Sequence, residues 1–199
     1  MRKLVYYVAT TLDGYIAGPD GGDPSGAEFF PLAQDLISFM IEHYPEALPT
    51  AAREALGISD PGTTFDTVLE GRASYEVGLA AGTTDAYRHL RHLVFSTTLK
   101  SHNPDVEIVP GSARQRVRQL KNESGKDLWL VGGGKLAHSL LPEIDRLILK
   151  QNPSVIGAGI PLFDGPFEFH RFQPVAQSVL DSGIRVLTYD RVSEASTKA

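Results

Sequence analysis

The stretch Asp127-Leu128-Trp129-Leu130-Val131-Gly132-Gly133-Gly134-Lys135-Leu136 decides our interpretation of the fold. An apolar, β-prone run enters three consecutive glycines, and a helical pattern follows at once. Glycines let backbone N–H groups approach an anion closely, and the start of a helix carries a partial positive charge. Lys135 adds a cation where a cation is otherwise unfavourable. The stretch predicts a strand–turn–helix unit that binds a phosphate, and a tight turn without a ligand is the alternative.

The composition is that of one ordinary globular domain. The chain has 199 residues, of which 42% are apolar and 22% charged. It has no cysteine, which excludes disulfides, thiolate metal sites and a cysteine nucleophile. A net charge of -5 argues against nucleic acid or an anionic membrane as the main partner. No apolar run approaches the roughly 20 residues of a membrane span. We therefore expect a soluble, cytoplasmic protein without a metal site.

Outward from the glycine turn, strand patterns alternate with helix patterns. The predicted strands are residues 4–9, 65–69, 92–96, 106–109, 127–131 and 144–150, and the predicted helices are residues 29–44, 72–79, 112–123 and 135–141. Residues 172–180 and 184–189 flank Asp181-Ser182-Gly183, which is typical of a hairpin. The order predicts a three-layer α/β fold with a mixed, mostly parallel central sheet and a C-terminal antiparallel hairpin. We assign residues 1–192 to one domain, with residues 23–64 as an irregular excursion and residues 193–199 as a frayed tail.

Two more junctions resemble the glycine turn in position. In Gly71-Arg72-Ala73-Ser74-Tyr75-Glu76 a strand meets a helix, and both Arg72 and Ser74 lie in the first helical turn, where they could bind phosphate. Ser96-Thr97-Thr98 ends another strand with hydroxyls that suit a phosphate or a ribose. An exposed arginine and turn-capping hydroxyls are the alternatives. Because carboxyl ends of parallel strands share one edge, these groups are expected to converge there.

Other polar residues are weaker candidates. Asp13 follows the first strand directly, whereas Glu28 and Asp35 lie in or near the first helix, where surface acids are common. His89 and His92 have a spacing that could serve a metal, but their basic surroundings favour a solvated face.

Five motifs in a fixed order carry a family resemblance. They are residues 8–17, 71–76, 94–99, 131–135 and 157–163. Together they resemble the dihydrofolate reductase-like superfamily, in the branch of the reductase domain of the riboflavin-pathway bifunctional deaminase–reductase. The resemblance covers nearly the whole chain except about residues 23–64.

The resemblance implies NADPH bound along the carboxyl edge of the sheet. It assigns Arg72, Ser96 and Thr97, beside Gly71 and Ser74, to the 2′-phosphate or pyrophosphate side. It assigns Gly132, Gly133, Gly134 and Lys135 to the pyrophosphate and ribose. The backbone of Ala9 and Ile16 would flank the nicotinamide. It also implies a homodimer.

The expected activity is NADPH-dependent reduction of a small heterocycle or a ribosylamino-pyrimidine. Asp13, directly or through water, is the expected proton source because it follows the first strand. Asp35 or Glu28 would take the place of the acid that anchors the pterin in folate enzymes, although residues 23–64 do not align with the helix that carries it. Residues 23–64 would wall the substrate side. The alternative is a dinucleotide-binding or dimeric regulatory protein without turnover.

Overall fold

The computed structural model describes residues 1–26, 29–100 and 102–192. Its strands are β1 Leu4–Thr10, β2 Tyr15–Ala17, β3 Phe65–Gly71, β4 Arg91–Phe95, β5 Val106–Val109, β6 Asp127–Gly132, β7 Arg146–Gln151, β8 Ile160–Pro161, β9 Phe172–Val179 and β10 Arg185–Arg191. Its α-helices are α1 Gln34–His43, α2 Thr50–Ala55, α3 Arg72–Ala80, α4 Ala113–Asn122 and α5 Gly134–Ser139, and 3-10 turns occupy Pro45–Ala47 and Leu141–Glu143. Glu28 and the tail 193–199 lie outside the described residues.

The central sheet has eight strands in the order β5-β4-β3-β6-β1-β7-β10-β9. The first six of these are mutually parallel. β10 then pairs antiparallel with β7 and with β9, so the C-terminal hairpin forms one edge of the sheet. The predicted mostly parallel sheet with an antiparallel hairpin is confirmed. Gly183 has a φ of +83°, which explains a glycine at the hairpin turn.

Helices cover both faces of the sheet, which makes three layers. On one face, Val117 of α4 and Ala137 of α5 pack against the side chains of Leu4 and Tyr6. β1 is apolar at nearly every position because its other face is buried as well, beneath α1 and the 3-10 turn that follows it. We call these the α4–α5 face and the α1 face.

The first helix is shorter than the apolar spacing predicts. It begins at Gln34 rather than at residue 29. Phe30 instead donates its N–H to the carbonyl of Pro24 and continues a loop, and Leu32 is 63% exposed. Leu32 therefore does not belong to the buried stripe, which Leu36 and Met40 form.

Residues 23–64 are only partly irregular. They contain α1, the 3-10 turn and α2, and Ala47 and Leu48 are buried in the core of the α1 face. The helix α2 within them begins at Thr50. Within the described part of the chain, no helix is long and apolar enough to cross a membrane.

Candidate cofactor and active site

The glycine turn and the β3–α3 junction touch each other at the carboxyl edge of the sheet. A Cβ on Gly133 would lie 3.9 Å from the N and Cα of Gly71, and a Cβ on Gly132 would lie 3.7 Å from Ser74 Oγ. Gly133 has a φ of +97°, which strongly favours glycine. The side-chain-free backbone of two strand ends therefore forms one continuous surface.

Arg72 connects this surface to the end of β4. Its Nη1 donates to Thr98 Oγ1 at 2.8 Å, and its Nε donates to Glu76 Oε1 at 2.7 Å. The Arg72 side chain is 52% exposed, and the ion pair with Glu76 is the ordinary i,i+4 kind on a helix. Such exposed pairs contribute only about 0.3–0.5 kcal/mol, so the guanidinium can exchange Glu76 for a stronger anion.

The hydroxyls of the other predicted cofactor contacts differ in whether they already have hydrogen-bond partners. Ser96 Oγ accepts hydrogen bonds from the N–H groups of Thr98 and Leu99, at 3.2 and 2.9 Å, and so caps the turn after β4. Ser74 Oγ donates to Glu70 at 2.8 Å. Thr97 is exposed.

The last glycine of the turn is required by packing. A Cβ on Gly134 would lie 2.3 Å from the carbonyl oxygen of Pro161, and Gly134 O accepts the N–H of Asp164. This glycine seats α5 against residues 161–164, whereas Lys135 beside it is exposed.

Asp13 holds two loops together. Its carboxylate accepts the N–H groups of Gly157, at 2.8 Å, and Ile156, at 3.2 Å. The hydroxyl of Thr11 and these two N–H groups lower the pKa of Asp13. An ionised carboxylate accepts protons, so these contacts favour a loop-fixing role; its predicted role as proton source stays a prediction.

Asp35 lies at the start of α1 and reaches the C-terminal hairpin. It accepts the N–H groups of Ser182 and Leu36, each at 2.7 Å. The hydrogen bonds from Ser182 are the main cause that lowers the pKa of Asp35. Arg185, the first residue of β10, is the register partner of Gln151, the last residue of β7. The hairpin turn therefore lies close to the carboxyl end of β7.

The two backbone positions expected beside the nicotinamide lie in different environments. Ala9 is near the end of β1 and partly exposed. Ile16, in β2, is buried and packs into the core of the α4–α5 face, where β2 pairs antiparallel with β8.

The solvated surface predicted for the two histidines is wrong. His92 is 1% exposed and sits between two carboxylates, with Nε2 at 2.7 Å from Glu70 and Nδ1 at 2.8 Å from Asp85. Burial opposes a charge on His92, but hydrogen bonds and attraction from both carboxylates prevail and raise its pKa. His89 also has partners, because its ring nitrogens face Thr50 Oγ1 and a backbone carbonyl. The run Leu93-Val94-Phe95, apolar at successive positions as in a strand buried on both faces, is the signal that could have placed His92 inside.

Lys150 is the second residue that sequence reasoning missed. It lies on β7 in register with Ala9, and its Nζ is 4.3 Å from the ring centroid of Tyr7 on the α1 face. Desolvation lowers its pKa to about 8. A lysine at the end of the predicted strand 144–150 was the available signal. Across the described residues, no cluster of three or more His, Asp or Glu side chains could hold a metal ion.

The sheet order, the hairpin at its edge and the glycine-lined carboxyl edge define an α/β protein with the dihydrofolate reductase-like fold. The chain belongs to the RibD C-terminal domain family, whose model matches residues 2–185.

Two curated relatives come from Bacillus subtilis (strain 168), and both are described as uncharacterised. YwjB is 32% identical over 165 residues, which are 81% of this chain and 83% of that protein. YyaP is 25% identical over 201 residues, covering 94% of each.

Solved structures agree on the fold. A putative riboflavin biosynthesis protein from Shewanella sp. PV-4 superposes with a TM-score of 0.66 at 21% identity, covering 97% of this chain and all of that one. The diaminohydroxyphosphoribosylaminopyrimidine deaminase/5-amino-6-(5-phosphoribosylamino)uracil reductase from Thermotoga maritima superposes with a TM-score of 0.63 at 17% identity. The match covers 96% of this chain but 57% of the bifunctional enzyme.

Proposed function

We propose that this protein is an NADPH-dependent reductase of a small heterocyclic or ribosylamino-pyrimidine compound. Its first candidate substrate is 5-amino-6-(5-phosphoribosylamino)uracil, the compound in the name of the Thermotoga neighbour. The observation that carries the proposal is that the carboxyl ends of β3, β4 and β6 meet. Arg72, after β3, donates a hydrogen bond to Thr98, after β4, and Gly71 packs beside Gly133, after β6. Membership in the reductase-domain family supports the same activity.

The residues at this edge fit a phosphorylated dinucleotide. Gly133 is partly exposed and Gly132 is buried beside it, and neither carries a side chain that would block the close approach of a pyrophosphate. Arg72 and Lys135 are exposed cations, and Thr97 is an exposed hydroxyl. We assign Arg72 to the 2′-phosphate, because a guanidinium forms strong, charge-assisted hydrogen bonds with phosphate. The glycine turn and Lys135 would then face the pyrophosphate.

In this proposal the protein positions both reactants. The nicotinamide, when bound, supplies a hydride. Ala9 in β1 and Ile16 in β2 would flank that ring with their backbone. Asp13 holds the loops 11–14 and 154–157 together, which keeps the backbone at this end of the site in one conformation. Asp35, which fixes the start of α1, is the proposed substrate anchor.

Cofactor titration followed by turnover tests the proposal. Binding is measured by the fluorescence of reduced nicotinamide, and turnover by loss of its absorbance on addition of 5-amino-6-(5-phosphoribosylamino)uracil or other ribosylamino-pyrimidines. We expect tight NADPH binding and oxidation dependent on substrate. Binding without oxidation would favour a regulatory dinucleotide-binding protein instead, and failure to bind NADPH at millimolar concentration would refute both.

Arg72→Ala separates the two nicotinamide cofactors. Loss of one charge-assisted phosphate contact should cost about 1.5–3 kcal/mol, which weakens NADPH about 10- to 150-fold. NADH lacks that phosphate, so its affinity should change little. Arg88→Ala is the matched control, because Arg88 is also an exposed arginine paired with a glutamate, Glu54. Equal weakening of NADPH and NADH would remove Arg72 from the 2′-phosphate site.

The expected homodimer and the cytoplasmic location stay predictions. Sedimentation equilibrium at micromolar concentration tests the dimer, since a monomer there would contradict it.

A further inference from the structure

Lys150 is a cation that packs on an aromatic ring rather than on a carboxylate. Its ammonium lies over the face of the Tyr7 ring, at 4.3 Å from the centroid. In the described ranges 1–26, 29–100 and 102–192 it has no ion-pair or hydrogen-bond partner. Its register neighbours on the flanking strands are Ala9 and Val186, both apolar. A desolvated charge without an opposite charge is unfavourable, so this arrangement suits a group that binds an external partner.

The elements that pack on this face do not neutralise Lys150. α1 presents Leu36 and Met40. Asp35, at the start of that helix, is already engaged by the N–H groups of Ser182 and Leu36. Tyr44 follows the helix, and burial raises the pKa of its hydroxyl, which leaves it neutral. Desolvation alone lowers the pKa of Lys150, to about 8.

Two further polar atoms near the end of β7 lack partners. Asn152 is 2% exposed, and its Oδ1 is buried without a hydrogen-bond partner in the described part of the chain; the same holds for Ser154 Oγ. Buried polar atoms without partners are rare in native proteins, and a water, an ion or a bound group usually satisfies them. Asn152 N donates to Thr10 O, which places Asn152 at the carboxyl ends of β1 and β7. Lys150 therefore belongs to a polar strand end built for a ligand.

We propose that Lys150 is the acid that protonates the substrate during hydride transfer, in place of Asp13. This inference rests on the proposed reductase function. The Asp13 carboxylate is ionised and held by backbone N–H groups, whereas no acceptor among the described residues binds a proton of the Lys150 ammonium. An acid works best when its pKa lies near the working pH, and a partly exposed but desolvated lysine such as Lys150 reaches that range.

The step balances with one hydride and one proton. The substrate, as a carbon–nitrogen or carbon–oxygen double bond, gains the hydride of reduced nicotinamide on its carbon. Its π electron pair moves to the nitrogen or oxygen, which takes a proton from Lys150. The N–H bond of the ammonium breaks and leaves a neutral amine, which regains a proton from water. The substrate is reduced, and the nicotinamide is oxidised.

Steady-state kinetics of Lys150 variants tests the proposal, with NADPH and 5-amino-6-(5-phosphoribosylamino)uracil as probes. Lys150→Met should lower kcat about 100-fold or more with NADPH affinity unchanged, because general acids typically contribute 10²–10⁴-fold. Lys150→Arg keeps the charge but cannot release a proton, so it should not restore the rate. Lys3→Met is the matched control, since Lys3 is an exposed lysine at the opposite, amino end of β1.

The pH profile and a direct titration give independent readouts. Wild-type kcat should fall as the pH rises through about 8, because Lys150 then loses its proton. The Cε chemical shift of Lys150, in protein with carbon-13-labelled lysine and assigned through Lys150→Arg, should titrate in the same range without any cofactor. A titration near the ordinary lysine value of about 10.4 would overturn the inference.

The outcomes separate the two claims. If wild-type protein fails to oxidise NADPH with any probe, the proposed function falls and the inference falls with it. If wild-type protein turns over and Lys150→Met keeps full kcat while Asp13→Asn loses it, only the inference on Lys150 is overturned.

Discussion

Replacing His92 by glutamine is expected to destabilise the protein, and the loss should depend on pH. His92 is buried between Glu70 and Asp85, and both carboxylates are themselves almost completely buried. Glutamine has a similar length but no charge, so the two carboxylates lose their shared cation. The Tyr75 and Tyr87 rings, which meet the imidazole edge-on, lose a contact as well.

The magnitude follows from the two hydrogen bonds that the imidazolium makes. Each bond to a charged group contributes about 1.5–3 kcal/mol, and breaking a buried ion pair costs about 3–5 kcal/mol. The amide nitrogen of glutamine is neutral and can donate to only one of the two carboxylates, so we expect a loss of about 2–4 kcal/mol at pH 6. The pKa of His92 is raised on folding. Its contribution is therefore complete below the unfolded pKa of about 6.5 and is lost as the pH rises through the folded pKa.

Urea unfolding at pH 6 and pH 9, monitored by circular dichroism, measures the difference between wild type and variant. The difference should be large at pH 6 and clearly smaller at pH 9. His102→Gln is the control, because His102 is exposed and should leave stability unchanged at both values. An equal difference at the two pH values would show that His92 acts as a neutral packing residue and would refute the reasoning.

Two smaller predictions concern the loops of the carboxyl edge. Gly134→Ala should destabilise the protein by about 1–3 kcal/mol, because the new Cβ would lie 2.3 Å from Pro161 O; Gly111→Ala, with no atom within 4 Å, should have no measurable effect in the same urea unfolding assay, and equal effects would contradict the close approach. Asp13→Asn should speed amide hydrogen exchange at Gly157, since the carboxylate that accepts this N–H loses its charge. In wild type that contact should persist at neutral pH and be lost only as the pH falls through the lowered pKa of Asp13, so unchanged exchange in the variant would contradict the loop-fixing role.

Local patterns identified most of the sheet. β1 is apolar at successive positions because both of its faces are covered, and this signal lies in the residues themselves. Ser112 was expected to begin a helix, and its Oγ accepts the N–H of Gln115 at the start of α4. The hairpin followed from its turn residues. The start of α1 could not be predicted in this way, because the burial of Phe30 depends on a loop contact with Pro24.

The convergence of the junctions at one edge follows from strand direction alone, whereas the proximity of Gly71 and Gly132 also depends on β3 lying beside β6 in the sheet. The environments of His92 and Lys150, in contrast, could not be predicted in this way. The partners of His92 lie 22 residues before it, at Glu70, and seven residues before it, at Asp85. The environment of Lys150 depends on the pairing of β7 with β1, which brings it beside Tyr7 from the far end of the chain. A histidine or lysine in isolation carries no sign of such neighbours.

The position of β1 in the sheet has a consequence for folding. Both of its neighbours come late in the chain, because Leu4 pairs with Leu128 of β6 and Val5 with Arg146 of β7. During synthesis from the N-terminus, the strongly apolar β1 therefore has both edges unpaired until β6 and β7 have been synthesised, more than 100 residues later. Such non-local pairing slows folding and exposes the nascent chain to aggregation. We expect chains released before β6 is complete to require chaperones, and the full-length protein to acquire protease resistance only after β7 has emerged.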